Sequence, residues 1–160
     1  MSKLICETCG QYEHQGECDM PKQKEIKKKK TPRQLQVARM DKLFSRIIRL
    51  RALTRVGGCE YCLKPKTIAR LQCSHFVGRT NYHTRWDLMN CSGLDGHCHM
   101  YLEHNPHEHE AWMVKHISSE ALEDLIIRSR STGKVNLDKI EAFLKESLKR
   151  WEGLCVEDIR

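Results

Sequence analysis

The sequence predicts an α+β chain, and three observations carry that reading. Apolar residues recur at helical spacing over 33–54 and again over 136–151. The stretch 59–100 between them has little helical periodicity and holds most of the Cys and His. Within it, 67–76 reads as a strand leading out of a tight loop at Pro65. The chain has 160 residues, enough for one ordinary domain or two very small ones. With 39% apolar and 31% charged residues it is neither collagenous nor wholly disordered. No run approaches the roughly 20 apolar residues a membrane span needs, and the N-terminus lacks an apolar signal segment. A cytoplasmic protein without a membrane partner is expected.

Residues 1–20 carry Cys6-x2-Cys9-x4-His14-x3-Cys18, four soft ligands in a segment too short to fold without metal. In a reducing compartment nine cysteines point to zinc more than to disulfides. A closed thiolate and imidazole set is a structural zinc site. The spacing is similar to a zinc knuckle, a module that contacts single-stranded nucleic acid.

Residues 21–56 hold thirteen Lys or Arg against Glu25 and Asp41, a net of +11. The flanking segments carry −3 (1–20) and −1 (57–160), so all of the overall +7 sits here. Lys27, Lys28, Lys29 and Lys30 lead it. Such a run favours a polyanion partner through phosphate contacts that add affinity without sequence specificity. Thr31-Pro32 is a helix start, Thr as N-cap and Pro at the first position. Met40, Leu43, Phe44, Ile47 and Ile48 form the inward face of the helix. Arg39, Lys42, Arg46 and Arg49 form the other face, expected to meet nucleic acid. Gly57-Gly58 ends the helix.

Further on, Asn105-Pro106 starts a helix with Trp112, Met113 and His116 on one face. Ser118 or Ser119 caps another, running to about Arg128. A last helix over 136–151 shows the stripe Leu137, Ile140, Phe143, Leu144, Leu148 and Trp151. These helices are expected to wrap the middle region. The expected divisions are 1–20, 21–56, 57–110 and 111–160.

The middle region carries the chemistry. Cys59-x2-Cys62 is half a zinc site, with Cys91, Asp95, His97 and Cys98 as downstream candidates for the other half. Between the halves lie Gln72-Cys73-Ser74-His75-Phe76-Val77-Gly78-Arg79 and Arg85-Trp86-Asp87-Leu88-Met89-Asn90, followed by Cys98-His99 with His104 close behind. Phosphodiester hydrolysis needs a base to activate water and a divalent metal to stabilise charge. A His at a strand end suits the first task, near its neutral-pH working point. A His on a following helix suits the second. Cys73 is expected to be a buried strand residue, with a place near the site as the rival reading. Trp86 is expected in the core, Cys155 as a free thiol, and His97, His107 and His109 at the surface.

Residues 59–106 resemble the HNH, or ββα-metal, nuclease fold stapled by zinc, and most resemble the NinG (Rap) family of phage recombination endonucleases. The matching residues are Cys59-Glu60-Tyr61-Cys62, Ser74-His75-Phe76, Arg85-Trp86-Asp87, Asn90 and Cys98-His99. The resemblance implies a ββα core and a metal-dependent DNA endonuclease. His75 would be the general base, and Asn90 would position it or complete the metal shell. His99 would bind a catalytic Mg2+ or Mn2+, with His104 as a second ligand candidate. Arg79 and Arg85 would be forks for flanking phosphates. Many HNH sites carry an acidic ligand just before the base; here Ser74 stands there. The family usually closes its zinc site with a second Cys-x2-Cys, and in that register this chain has Asp95-x2-Cys98. Cys91 and His97 remain rivals to Asp95.

The resemblance further implies branched recombination intermediates as substrate, in a phage-infected bacterial cytoplasm. Resolving a four-way junction favours a homodimer, with the C-terminal stripe as a candidate interface. The rival readings are a non-catalytic zinc-dependent nucleic-acid-binding module and an HNH nuclease acting on linear duplex.

Overall fold

Thr31 opens the first helix with a reciprocal cap. Its hydroxyl accepts from the Gln34 main-chain N–H at 3.3 Å, and the Gln34 side-chain oxygen accepts from the Thr31 N–H at 2.9 Å. The computed structural model describes residues 29–157, with side chains through residue 154. Cys6, Cys9, His14, Cys18, Lys27 and Lys28 lie outside the described residues. So do the side chain of Cys155 and the expected knuckle at 1–20.

Among the described residues the order is α1 (Pro32–Val56), β1 (Leu71–His75), β2 (Cys91–Asp95), α2 (Gly96–His104), α3 (Pro106–Ile117), α4 (Ser119–Ser129) and α5 (Leu137–Glu157). The chain is thus α+β, with one two-stranded antiparallel sheet. Thr31–Arg160 forms one unit. No described helix is long and apolar enough to cross a membrane.

Helix α1 is the spine. Met40, Phe44, Ile47 and Ile48 are buried, as their spacing predicts, and Leu43 is half-buried. Gly57 ends the helix in the left-handed conformation (φ 65°). One side of α1 packs on α5 through Leu137, Leu144, Ile140, Leu148 and Trp151. The C-terminal stripe is therefore spent inside the chain and is not a free dimer face; of its residues only Phe143 is left exposed, at 52%. Helix α5 also runs further than the periodicity predicts, to Glu157.

The other side of α1 packs on the sheet. A Cβ at Gly93 would collide with the Ala52 side chain, so glycine is what lets β2 approach. The expected strand over 67–76 is shorter than predicted. Ile68–Arg70 forms a 3-10 turn, closed by the Arg70 N–H donating to the Thr67 oxygen at 2.9 Å, and β1 starts only at Leu71.

A buried ion pair ties these layers together. Arg51 donates from α1 to the main-chain oxygens of Leu88 and Cys91, both at 2.6 Å, and to the Glu60 carboxylate at 3.1 Å. Glu60 also accepts from the Gly93 N–H at 2.6 Å. One guanidinium therefore sets the height of β2 and of the loop that carries Cys59 and Cys62. Helices α3 and α4 close the far side through Met113, Leu122 and Leu125, packed on Phe76 and Val77.

Candidate functional site

Two groups of side chains come together around the β1–β2–α2 unit. The first lies at the N-terminus of α2. After Gly57 the chain turns back, with the Leu63 N–H donating to the Cys59 oxygen at 2.9 Å and the Cys59 N–H to the Lys64 oxygen at 3.2 Å. This turn points Cys59 and Cys62 at the start of α2. Asp95 is the N-cap there, one carboxylate oxygen accepting from the Cys98 N–H at 3.0 Å. Its other oxygen lies 3.5 Å from the Cys62 sulfur.

One ligand atom from each of Cys59, Cys62, Asp95 and Cys98 lies within 4.8 Å of the others. The rivals lie elsewhere. Cys91 belongs to another group, and His97 is exposed on α2. The cluster fits zinc on its donor chemistry: three sulfurs and one carboxylate, a full tetrahedral set of types zinc accepts. The Cys98 N–H holds the Asp95 carboxyl at about 2, with help from Cys62 and Lys66. Burial, with Cys62 and Cys59 alongside, pushes the Cys98 thiol far up. Three sulfurs this close, two of them buried, are stable as thiolates only with a cation among them. A structural metal such as zinc could sit here.

The second group surrounds a cavity of 660 Å³ between the end of β1, α2 and α3. His75 ends β1. Its Nε2 lies 3.0 Å from the main-chain oxygen of Arg85. A carbonyl only accepts, so Nε2 carries the proton and Nδ1 keeps a lone pair. Burial lowers the His75 pKa, the Arg85 carbonyl opposes this, and the Arg79 and Arg85 charges lower it further. Burial and the two guanidiniums thus favour the neutral ring.

His99 faces the same cavity from α2. Its Nδ1 lies 2.8 Å from the Gln72 side-chain oxygen, which leaves Nε2 with the lone pair. Burial lowers its pKa as well. A neutral imidazole with one nitrogen pinned by an acceptor is the usual state of a metal-ligating His. Nothing in the sequence singles out Gln72 for this part; only the tertiary contact reveals it.

Asn90 sits just before β2 and is fully buried. Its side-chain oxygen accepts from the Val77 N–H at 2.7 Å, and its nitrogen donates to the Val77 and Thr84 oxygens, each at 2.9 Å. It therefore staples both ends of the loop that links His75 to Arg85. Asn90 does not line the cavity, so its part is to position that loop.

His104 also stays out of the cavity. Its Nδ1 lies 2.8 Å from the Met100 oxygen of its own helix. Glu103 lines the cavity instead. It is four residues from His99, about 40° round the helix, where His104 at five residues is about 140° away. The i,i+4 spacing of His99 and Glu103 is the sequence signal that could have found it. From α3, His107, His109 and Glu110 complete the wall. His109, expected at the surface, is buried, edge-on to Phe76 with centroids 5.1 Å apart.

The arginines divide. Arg79 is exposed, lines the cavity, and brings its Nε to 3.4 Å from His75 Nδ1. Arg85 has its fork filled by Asp41 of α1, at 2.9 and 2.7 Å. It holds its carbonyl against His75 and has no fork free for a phosphate. Arg46 pairs with Glu152 of α5 at 2.8 Å. Arg49 turns to the oxygens of Ser45 at 3.1 Å and Ile68 at 3.5 Å. Much of the α1 face expected to meet nucleic acid is thus already partnered. Lys29 and Lys30 are exposed.

The chain matches no family model, no curated protein and no solved structure. The chemistry of the site is therefore read from its own geometry. That geometry offers a neutral imidazole able to take a proton. The same cavity is lined by a second imidazole, that of His99, and by the Glu103 carboxylate.

Proposed function

We propose that this chain is a metal-dependent endonuclease of the HNH, or ββα-metal, type, acting on DNA. One observation carries the reading. His75 at the end of β1 and His99 on α2 face one cavity, and each is locked in the tautomer its task requires, by the Arg85 carbonyl and by Gln72. The Arg79 Nε–H, 3.4 Å from His75 Nδ1, is a donor that an attacking water would displace from that lone pair.

In this mechanism His75 Nδ1 takes a proton from the attacking water as its oxygen bonds to phosphorus. His99 Nε2 and Glu103 would hold a divalent cation such as Mg2+ or Mn2+. When bound, that cation supplies positive charge to the phosphate and the departing oxygen. Glu103 would make up for the acid that Ser74 does not provide. Arg79 would hold a phosphate oxygen beside the base. Asn90 keeps the 76–84 loop, and with it Arg79 and the Arg85 carbonyl, in register. Structural zinc in the Cys59–Cys62–Asp95–Cys98 cluster would fix the start of α2, and so His99 one residue further on.

Preference for branched recombination intermediates, and a phage setting in a bacterial cytoplasm, rest on the resemblance to the NinG (Rap) family. The test uses purified protein with Mg2+ or Mn2+ on a four-way junction, its linear arms and a nicked duplex. Cutting of the junction over the arms supports the full proposal, and equal cutting supports an HNH nuclease of linear duplex. Intact DNA with retained binding overturns catalysis and leaves a nucleic-acid-binding module.

A further inference from the structure

His75 is part of a second soft-ligand group. One ligand atom from each of Cys73, His75 and Cys91 lies within 4.8 Å of the others. The strand register explains why. His75 stands directly opposite Cys91, and Cys73, opposite Gly93, is two residues back from His75 on the same face of β1. Both cysteines are buried, at 4% and 2% exposure. Neither serves the hydrolytic mechanism or the Cys59 cluster.

The same register argues against a disulfide. Cys73 and Cys91 are diagonal neighbours, whose Cα atoms typically lie about 7–8 Å apart. A disulfide wants roughly 4.4–6.8 Å. A bridging metal suits the wider spacing. Two sulfurs on one tetrahedral zinc, each at about 2.3 Å, stand roughly 3.8 Å from each other. Two thiolates with one imidazole select soft or borderline ions such as Zn2+ over Mg2+. The fourth position stays open, because Cys73 and His75 both border the 660 Å³ cavity and a smaller one of 240 Å³ beside Asp41 and Phe44.

We propose that Cys73, His75 and Cys91 form an inhibitory zinc site, in which the bound ion takes the lone pair of the catalytic base. The inhibitory consequence rests on the base role given to His75 above; the site itself does not. If the Arg85 contact persists, the metal takes Nδ1, the proton-accepting nitrogen. If the metal takes Nε2 instead, the bond to Arg85 is lost and the ring is no longer aimed. Either way two thiol protons leave, one metal arrives, and water can no longer be deprotonated by His75. This zinc opposes the divalent cation at His99 and Glu103 without sharing a ligand with it.

The test counts metal first and cutting second. Full-length protein is equilibrated with excess Zn2+, desalted, and its zinc measured per chain, beside Cys91→Ser and the double variant Cys73→Ser/Cys91→Ser. Circular dichroism checks that each variant is folded. The expected result is one zinc fewer per chain in the double variant. The His75 ring nitrogen resonances should shift on zinc addition in the unsubstituted chain and stay in place in the double variant. Equal zinc counts, or His75 resonances that ignore zinc in the unsubstituted chain, overturn the site. Cys73→Ala/Cys91→Ala replaces the serine pair in the same measurements should the serines unfold the sheet.

In the cutting arm, Zn2+ added to the Mg2+ reaction should slow it, and Cys91→Ser should need at least about tenfold more Zn2+ for the same inhibition. Unchanged zinc sensitivity in Cys91→Ser overturns the inhibitory role. If no DNA is cut under any condition, the nuclease reading fails, and the zinc count still decides the site.

Discussion

The Nε2 of His75 lies 3.0 Å from the main-chain oxygen of Arg85, and Arg85 is itself held by a two-pronged ion pair to Asp41. An oxygen that can only accept thus decides which nitrogen of His75 carries the proton, and Arg79 Nε donates to the other at 3.4 Å. Helix α1, far from His75 in sequence, fixes where that oxygen stands.

Loss of the base should be visible in rate and pH together. His75→Ala should cut about 10²–10⁴-fold more slowly while binding DNA as before. In the unsubstituted chain, with Mg2+ as the only divalent ion, kcat/KM should rise with pH and level off. Burial and the two guanidiniums favour neutral His75, so that rise should centre below the ordinary value of 6.5. A rise centred above 6.5 would rule His75 out as the base.

Asn90→Ala should separate positioning from metal binding. It strands the Val77 N–H and two carbonyls in the interior, at a cost of about 2–3 kcal/mol in urea unfolding. The rate should fall, and the Mg2+ concentration for half-maximal rate should not move. A large rise in that concentration would instead make Asn90 part of the metal shell.

Chelation tests the Cys59–Cys62–Asp95–Cys98 cluster. Stripping metal should lower the unfolding midpoint by at least about 10 °C, and zinc should restore it. Cys98→Ala should be as unstable with zinc as without. Asp95→Cys should still bind zinc, since a thiolate replaces a carboxylate, although α2 loses an N-cap. An unmoved midpoint on chelation would remove zinc from this site.

The Arg51–Glu60 pair should be costly to break and cheap to replace. Arg51→Met leaves the buried Glu60 with only the half-exposed Arg55 guanidinium, 3.8 Å away, as counter-charge, and should cost about 3 kcal/mol. Arg51→Met with Glu60→Leu should recover much of that loss, because neither charge is then stranded. Denaturant midpoints of the two variants decide the matter.

DNA affinity should fall steeply with salt. Replacing each of Lys27, Lys28, Lys29 and Lys30 by Ala should weaken the log–log salt slope by up to about 0.9. Arg46→Ala should leave the slope nearly unchanged, because Glu152 already holds that guanidinium at 2.8 Å.

Local chemistry was legible in the sequence. Thr31 and Ser118 start helices because a cap needs only neighbours within one turn, and Pro106 starts another because its fixed φ suits a first helical position. The apolar stripes of α1 and α5 show which faces turn inward for the same local reason. Cys59-x2-Cys62 declares itself because two residues of spacing bring two sulfurs to one turn.

The tertiary structure decided what depends on residues far apart in the chain. Sequence order cannot say that Cys91 faces His75 while Asp95 joins the thiols; the β1–β2 register does. It cannot say that Arg46 and Arg85 are already occupied by carboxylates more than 40 residues away. Nor can it say that Gln72 rather than water pins His99. A charge or an imidazole has the same letter whether its partner is solvent or a buried acceptor, and only packing supplies the partner.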